Sequence, residues 1–160
     1  MNADHSFAVS VEWLGNRGTG TSGYKDFSRV SEARAEGKPS ISVSAAKPFH
    51  GDADRWNPEE QLIAALAECH LLSYLHVATQ AGIVIESYTD AASGTLRTNP
   101  DGSGALVEVV LRPVVSISAG DPAAALALHA EANRLCFIAN SVNFPVRHEP
   151  QILLLDDDRS

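Results

Sequence analysis

Asn57-Pro58-Glu59-Glu60-Gln61-Leu62-Ile63-Ala64-Ala65-Leu66-Ala67-Glu68-Cys69-His70-Leu71-Leu72 is the stretch on which the reading of this 160-residue chain turns. It opens as a helix should. Asn57 can cap the free N–H groups, Pro58 lacks the N–H that would go unpaired at the first helical position, and Glu60 completes a capping-box pattern. Glu59 and Glu60 both sit at the positive end of the helix dipole. From residue 62 to residue 78 the sequence is apolar on nearly every side, which predicts a long helix buried in a domain centre. One thiol, Cys69, lies in the middle of it, and Gly82 suits the left-handed position just past its end.

Working outward, the length fits a single domain over 1–160 with a sizeable core. The net charge of −8 withholds the basic face that phosphate binding needs, so nucleic acid is not an expected partner. Glu68, His70 and His76 interrupt the longest apolar run, so no membrane span is expected. The start, Met1-Asn2-Ala3-Asp4-His5, has neither the basic beginning nor the apolar core of a signal peptide, which points to the cytoplasm. Two cysteines occur, Cys69 and Cys136. A pair that joined in a reducing cytosol would be redox-active, yet free cysteine is also among the most buried residue types. The residues alone leave both readings open.

Alternating apolar and polar residues predict a strand over 7–13, and short strands follow over 24–30 and 40–44 around the charged segment 31–39. The Gly-rich loop 15–23 carries Arg17 but lacks a phosphate-binding motif, and it reads as a hairpin turn. Beyond the central helix, strands are predicted over 83–89, 95–98 and 105–118, the last with Pro113 marking an edge or bulge. Asp121-Pro122 opens a second helix to about Leu135, with Ala123, Leu126, Leu128 and Ala132 as its apolar side and Cys136 at its end. A loop over 137–150 precedes a final strand over 151–155, and Asp156-Asp157-Asp158 reads as a solvated acidic tail. The order of elements predicts an α+β domain with antiparallel sheet.

Helical spacing puts Cys69, Ser73 and His76 on one face, with Glu68 and His70 beside it. That arrangement fits a thiol with an adjacent base. Cys-x6-His on one helix is not a standard zinc spacing, so no metal is expected, and His76 reads most simply as a core histidine bonded to a carbonyl.

The run from Asn57 to Glu60 followed by Ala64-Ala65-Leu66-Ala67-Glu68-Cys69-His70 resembles the first signature of the OsmC/Ohr family of organic hydroperoxide reductases. Cys136-Phe137-Ile138-Ala139-Asn140-Ser141-Val142 resembles its second. The likeness extends through Trp13-Leu14-Gly15-Asn16-Arg17-Gly18-Thr19-Gly20-Thr21, Tyr24 and Asn143-Phe144-Pro145-Val146. It implies the OsmC-like fold, an intertwined homodimer, and thiol peroxidase chemistry. The cysteine matching Cys69 attacks an organic hydroperoxide and becomes a sulfenic acid. The one matching Cys136 then closes a disulfide, which an external dithiol reduces. No cofactor is called for, because the two thiols carry the electrons.

The family favours the thiolate with an arginine held by a glutamate, and the matching glutamate is Glu59. Ten positions, about 15 Å of helix rise, separate it from Cys69, so joint action implies that Glu59 comes from the other subunit. Arg17 matches the position the Ohr branch uses. The OsmC branch uses an arginine in the loop before the central helix, where this chain has His50 and later Arg55. That substitution supports an alternative, an OsmC-fold redox sensor or apolar-ligand binder without efficient turnover. Leu62, Leu66, Leu72, Phe137 and Phe144 are candidates for an apolar pocket suited to an alkyl or lipid hydroperoxide.

Overall fold

A computed structural model describes residues 3–155, so the acidic tail lies outside the described residues. The chain divides into two units, Met1–Gln61 and Leu62–Ser160.

In the first unit, β1 (Ser10–Trp13), β2 (Ser31–Arg34) and β3 (Ile41–Val43) form an antiparallel sheet in chain order. The predicted strand over 24–30 is not a strand. That segment wraps around Arg29, whose guanidinium lies 4.5 Å from the ring centroids of both Tyr24 and Phe27 and donates to their carbonyl oxygens. The second strand instead falls in the charged segment, because its charges find partners: Arg34 pairs across to Glu12 at 2.6 Å and, along its own strand, with Glu32. Leu14 and Gly15 continue the ladder to Val30 and Ser28, and a Cβ on Gly15 would collide with the Ser28 carbonyl. A short 3-10 turn, Lys47–Phe49, ends at His50, which holds a left-handed φ of 62°. The Asn57 side chain then accepts from the Glu60 N–H at 2.8 Å, and the Glu60 carboxylate accepts from the Asn57 N–H at 3.3 Å. This is the predicted capping box, and α1 (Pro58–Gln80) starts on it.

In the second unit α1 buries one stripe, Leu66, His70, Tyr74, Val77 and Ala78, while Leu72 stays 66% exposed and Leu75 36%. By length and composition alone, α1 is long and apolar enough to cross a membrane. The expectation that Glu68, His70 and His76 break it below that length is therefore corrected. What marks it as a core helix is its buried stripe, which packs Leu66 against Val109 and Leu111, and Tyr74, Val77 and Ala78 against Val115 and Ile117. Gly82, at φ 73°, ends the helix, with the Ile83 N–H returning to the Ala78 carbonyl at 3.0 Å.

The strands that follow are β4 (Val84–Asp90), β5 (Ser93–Thr98), β6 (Gly104–Leu111) and β7 (Pro113–Ala119). Then come α2 (Pro122–Leu135), β8 (Val146–His148) and β9 (Gln151–Leu154). They make two three-stranded sheets, β4-β7-β9 and β5-β6-β8. The predicted strand over 105–118 is broken at Arg112, because Pro113 has no N–H to continue the ladder. Its halves enter different sheets. Both sheets carry a parallel pair, β6 with β8 and β7 with β9, beside the expected antiparallel ones. β8 lies in the segment read as loop; its three residues are too few to show an alternation. Asp121 caps α2 by accepting from the Ala124 N–H at 2.8 Å. The buried side of α2 is Ala125, His129 and Ala132, whereas Ala123 and Leu126 are exposed.

Candidate active site

Cys69 lies half-buried in mid-α1, and Cys136 is the buried residue that closes α2, in extended conformation. The two thiols are free and adjacent to one another, near enough for Cys69 to act on the acidity of Cys136. Cys136 Sγ also accepts from the Ala139 N–H at 3.4 Å, a contact made possible by the tight turn after the helix. Burial first, and then the neighbouring Cys69 thiol, push the Cys136 thiol up to about 11. Cys136 is therefore a proton-bearing thiol at neutral pH, and the less buried Cys69 is the better placed to react first.

Cys69 opens on a cavity of about 360 Å3 lined by Leu72, Ser73, His76, Leu135 and Phe137. Of the residues expected to line an apolar pocket, Leu72 and Phe137 do so. Leu62, Leu66 and Phe144 instead pack in the cluster around Val109 and Leu111. His76 is exposed at this cavity rather than buried in the core. It lies two turns beyond Cys69, on a face of α1 that the buried stripe does not include.

The buried histidines are others. His70 Nε2 and His129 Nδ1 are 3.0 Å apart, both rings are wholly buried, and His148 stacks on both. Burial and the neighbouring His148 push His70 down to about 4; burial and its two histidine neighbours push His129 down to about 3. Sequence reasoning passed over His129 and His148. The signal for His129 was its place between Ala125 and Ala132, on the face a helix of this register buries. Among the described residues no group of three or more His, Cys, Asp or Glu side chains is arranged to hold a metal ion.

The remaining candidates lie in the first unit. Glu59 is half-buried, and its Oε2 is buried without a hydrogen-bond partner among the described residues. Arg17 is exposed in the loop after β1. Arg55 is engaged with the Ser42 hydroxyl, and His50 stands edge-on to Tyr24, ring centroids 5.4 Å apart.

The OsmC-like protein family model matches residues 51–151, which include both cysteines. The OsmC-like protein VCA0330 of Vibrio cholerae is 31% identical, with 92% of this chain and 99% of that one covered and a TM-score of 0.81. YmaD of Bacillus subtilis (strain 168) is 25% identical over 88% of each chain. An organic hydroperoxide resistance protein from Elizabethkingia anophelis is 18% identical and shares the fold, with a TM-score of 0.70 over 97% of this chain and all of that one. The chain belongs to the OsmC-like protein family.

Proposed function

We propose that this protein is a thiol-dependent peroxidase that reduces organic hydroperoxides through Cys69 and Cys136. The observation that carries this reading is that Cys69 lines an apolar cavity with the buried Cys136 thiol beside it. The resemblance of the fold to an organic hydroperoxide resistance protein supports it. The Cys69 thiolate attacks the distal oxygen of ROOH; the O–O bond breaks, ROH leaves with a proton, and Cys69 carries the sulfenic acid. Cys136 sulfur then attacks Cys69 sulfur, the S–S bond forms, and the hydroxyl leaves as water with the Cys136 proton. An external dithiol returns both thiols and is itself oxidised. Leu72, Leu135 and Phe137 favour an alkyl group over water in the cavity, and so favour an organic hydroperoxide over hydrogen peroxide.

Glu59 and Arg17 take the supporting role in this reading. The orphaned Oε2 of Glu59 is where a guanidinium would dock, and Arg17 is exposed while Arg55 is already committed to Ser42. The 160 residues act as one OsmC-like domain in a homodimer, as the exposed Leu72 and Leu75 of α1 support. Its place is the cytoplasm, where a dithiol pool keeps the pair reduced.

The test is intact mass and free-thiol content after one equivalent of cumene hydroperoxide, on wild type and on Cys136→Ser. Loss of two hydrogens and both thiols in wild type, with one added oxygen trapped on Cys69 in the variant, is the expected result. Two untouched thiols after prolonged exposure would overturn the reading in favour of a ligand-binding protein.

A further inference from the structure

The buried His70 and His129, with the half-buried His148 stacked on them, take no part in the chemistry just described, yet the first two join the helices that carry the two thiols. His70 follows Cys69 on α1, and His129 precedes Cys136 on α2 by seven residues, two helical turns on the same face. The helix-to-helix contacts run in opposite directions: 69 with 136, 70 with 129, and 74 with 125, where the Tyr74 hydroxyl donates to the Ala125 carbonyl at 3.0 Å. The Tyr74 ring also lies on that of His129, centroids 3.9 Å apart and planes 12° from parallel.

A histidine pair is an expensive way to fill this space. His70 Nδ1, His129 Nε2 and His148 Nδ1 are all buried without a partner, and among the described residues no carboxylate pairs with any of the three rings. Leucine or phenylalanine would leave no orphaned nitrogen. What the histidines supply, and apolar side chains do not, is direction. A bond between two ring nitrogens holds only over a narrow range of distance and angle, so it fixes how far α2 can slide or turn on α1. Disulfide closure is equally exacting, because the two Cα atoms must come within about 7 Å with the side chains converging.

Resting on the two-thiol reading above, we propose that His70 and His129 are positioning residues for the resolving step: their bond sets the rotation of α2 on α1 that turns Cys136 towards Cys69. The first attack on the oxidant involves Cys69 alone and does not need the bond. The second step, in which Cys136 sulfur displaces the group on Cys69 sulfur, does.

The test separates the two steps in wild type, His129→Phe and His129→Asn. Phenylalanine keeps the stacking on Tyr74 and loses the bond; asparagine places a polar atom near the Nδ1 position and keeps it. One arm uses cumene hydroperoxide, trapping the sulfenic acid with dimedone. The other uses glutathione disulfide, following the glutathionyl mixed disulfide on Cys69 and its displacement by Cys136, which requires no peroxidase activity. The expected result is a Cys69 reaction rate within twofold of wild type in both variants. Closure should be at least tenfold slower in His129→Phe and within threefold of wild type in His129→Asn. Closure at the wild-type rate in His129→Phe, or closure equally slow in both variants, would overturn the proposal. If His129→Phe does not fold, His129→Asn against His129→Ala decides on the same criterion. A wild type inert to peroxide, with the closure defect of His129→Phe still seen in the glutathione arm, would remove the peroxidase reading and leave this one standing.

Discussion

Tyr74 meets α2 twice: its ring lies flat on His129 at 3.9 Å, and its hydroxyl donates to the Ala125 carbonyl at 3.0 Å. Both residues are wholly buried. Burial also raises the Tyr74 phenol above its ordinary value, so the hydroxyl stays protonated and can only donate here. Tyr74→Phe should keep the stacking and orphan a helix carbonyl. A loss of about 1 to 2 kcal/mol of unfolding free energy is expected by urea titration. An unchanged midpoint would mean that the carbonyl finds another donor.

Acid should weaken the fold through the same cluster. His70 and His129 hold pKa values of about 4 and about 3 in the native protein, below the ordinary 6.5. Below pH 6.5 the unfolded chain binds protons that the native one refuses. The stability they confer is thus fully present above about pH 6.5 and is lost as pH falls towards 4 and 3. Each ring contributes a slope of about 1.4 kcal/mol per pH unit within that window. Urea midpoints measured from about pH 7.5 down to about pH 5 should fall, and should fall less steeply in His129→Asn. A flat profile in wild type would show that the rings charge freely in the native state.

The start of α1 depends on one side chain. Asn57→Ala removes the acceptor for the Glu60 N–H at 2.8 Å and should cost about 1 kcal/mol, measured by thermal or urea unfolding. Asn57→Asp, which keeps the acceptor and adds charge at the positive end of the dipole, should cost nothing.

If Arg17 supplies the cation for Glu59, Arg17→Ala should slow the oxidation of Cys69 by on the order of 100-fold, the usual effect of removing one group that stabilises charge developing in a transition state. Arg55→Ala should leave the rate within about twofold, since Arg55 is bound to Ser42. Rapid-mixing measurement of thiol loss decides, and the reverse ranking would move the role from Arg17 to Arg55.

The helices were readable because their ends are written in local chemistry. Asn57 with Glu60, Gly82, and Asp121 with Pro122 act within a few residues of one another, and all three lie where the sequence placed them. The two cysteines were singled out through the surroundings that resemble the family, and both lie within the stretch the family model matches. What escaped were features decided between segments. Arg29 draws Tyr24 and Phe27 out of a strand that their composition favours, and β2 forms where charges find partners across the sheet. No pattern along the chain says that His70, His129 and His148, from two helices and a strand, will stack in one place. The burial of His129 was legible from the register of α2; its partner was not.

The break at Arg112 has a reach beyond the strand it divides. The Arg112 N–H donates to Asp90 Oδ1 at 2.7 Å, and the guanidinium reaches the Ser93 hydroxyl at 2.8 Å and the Glu149 carboxylate at 3.1 Å. Those three residues mark the crossings from β4 to β5 and from β8 to β9, beside Arg112's own crossing from β6 to β7. The two sheets are thus three bent ribbons laid side by side, creased along one line, with a single side chain clasping all three creases. Neither sheet can peel open without loosening the other. Their backbone amides should therefore exchange with deuterated solvent as one cooperative group, and Arg112→Ala should split that group in two.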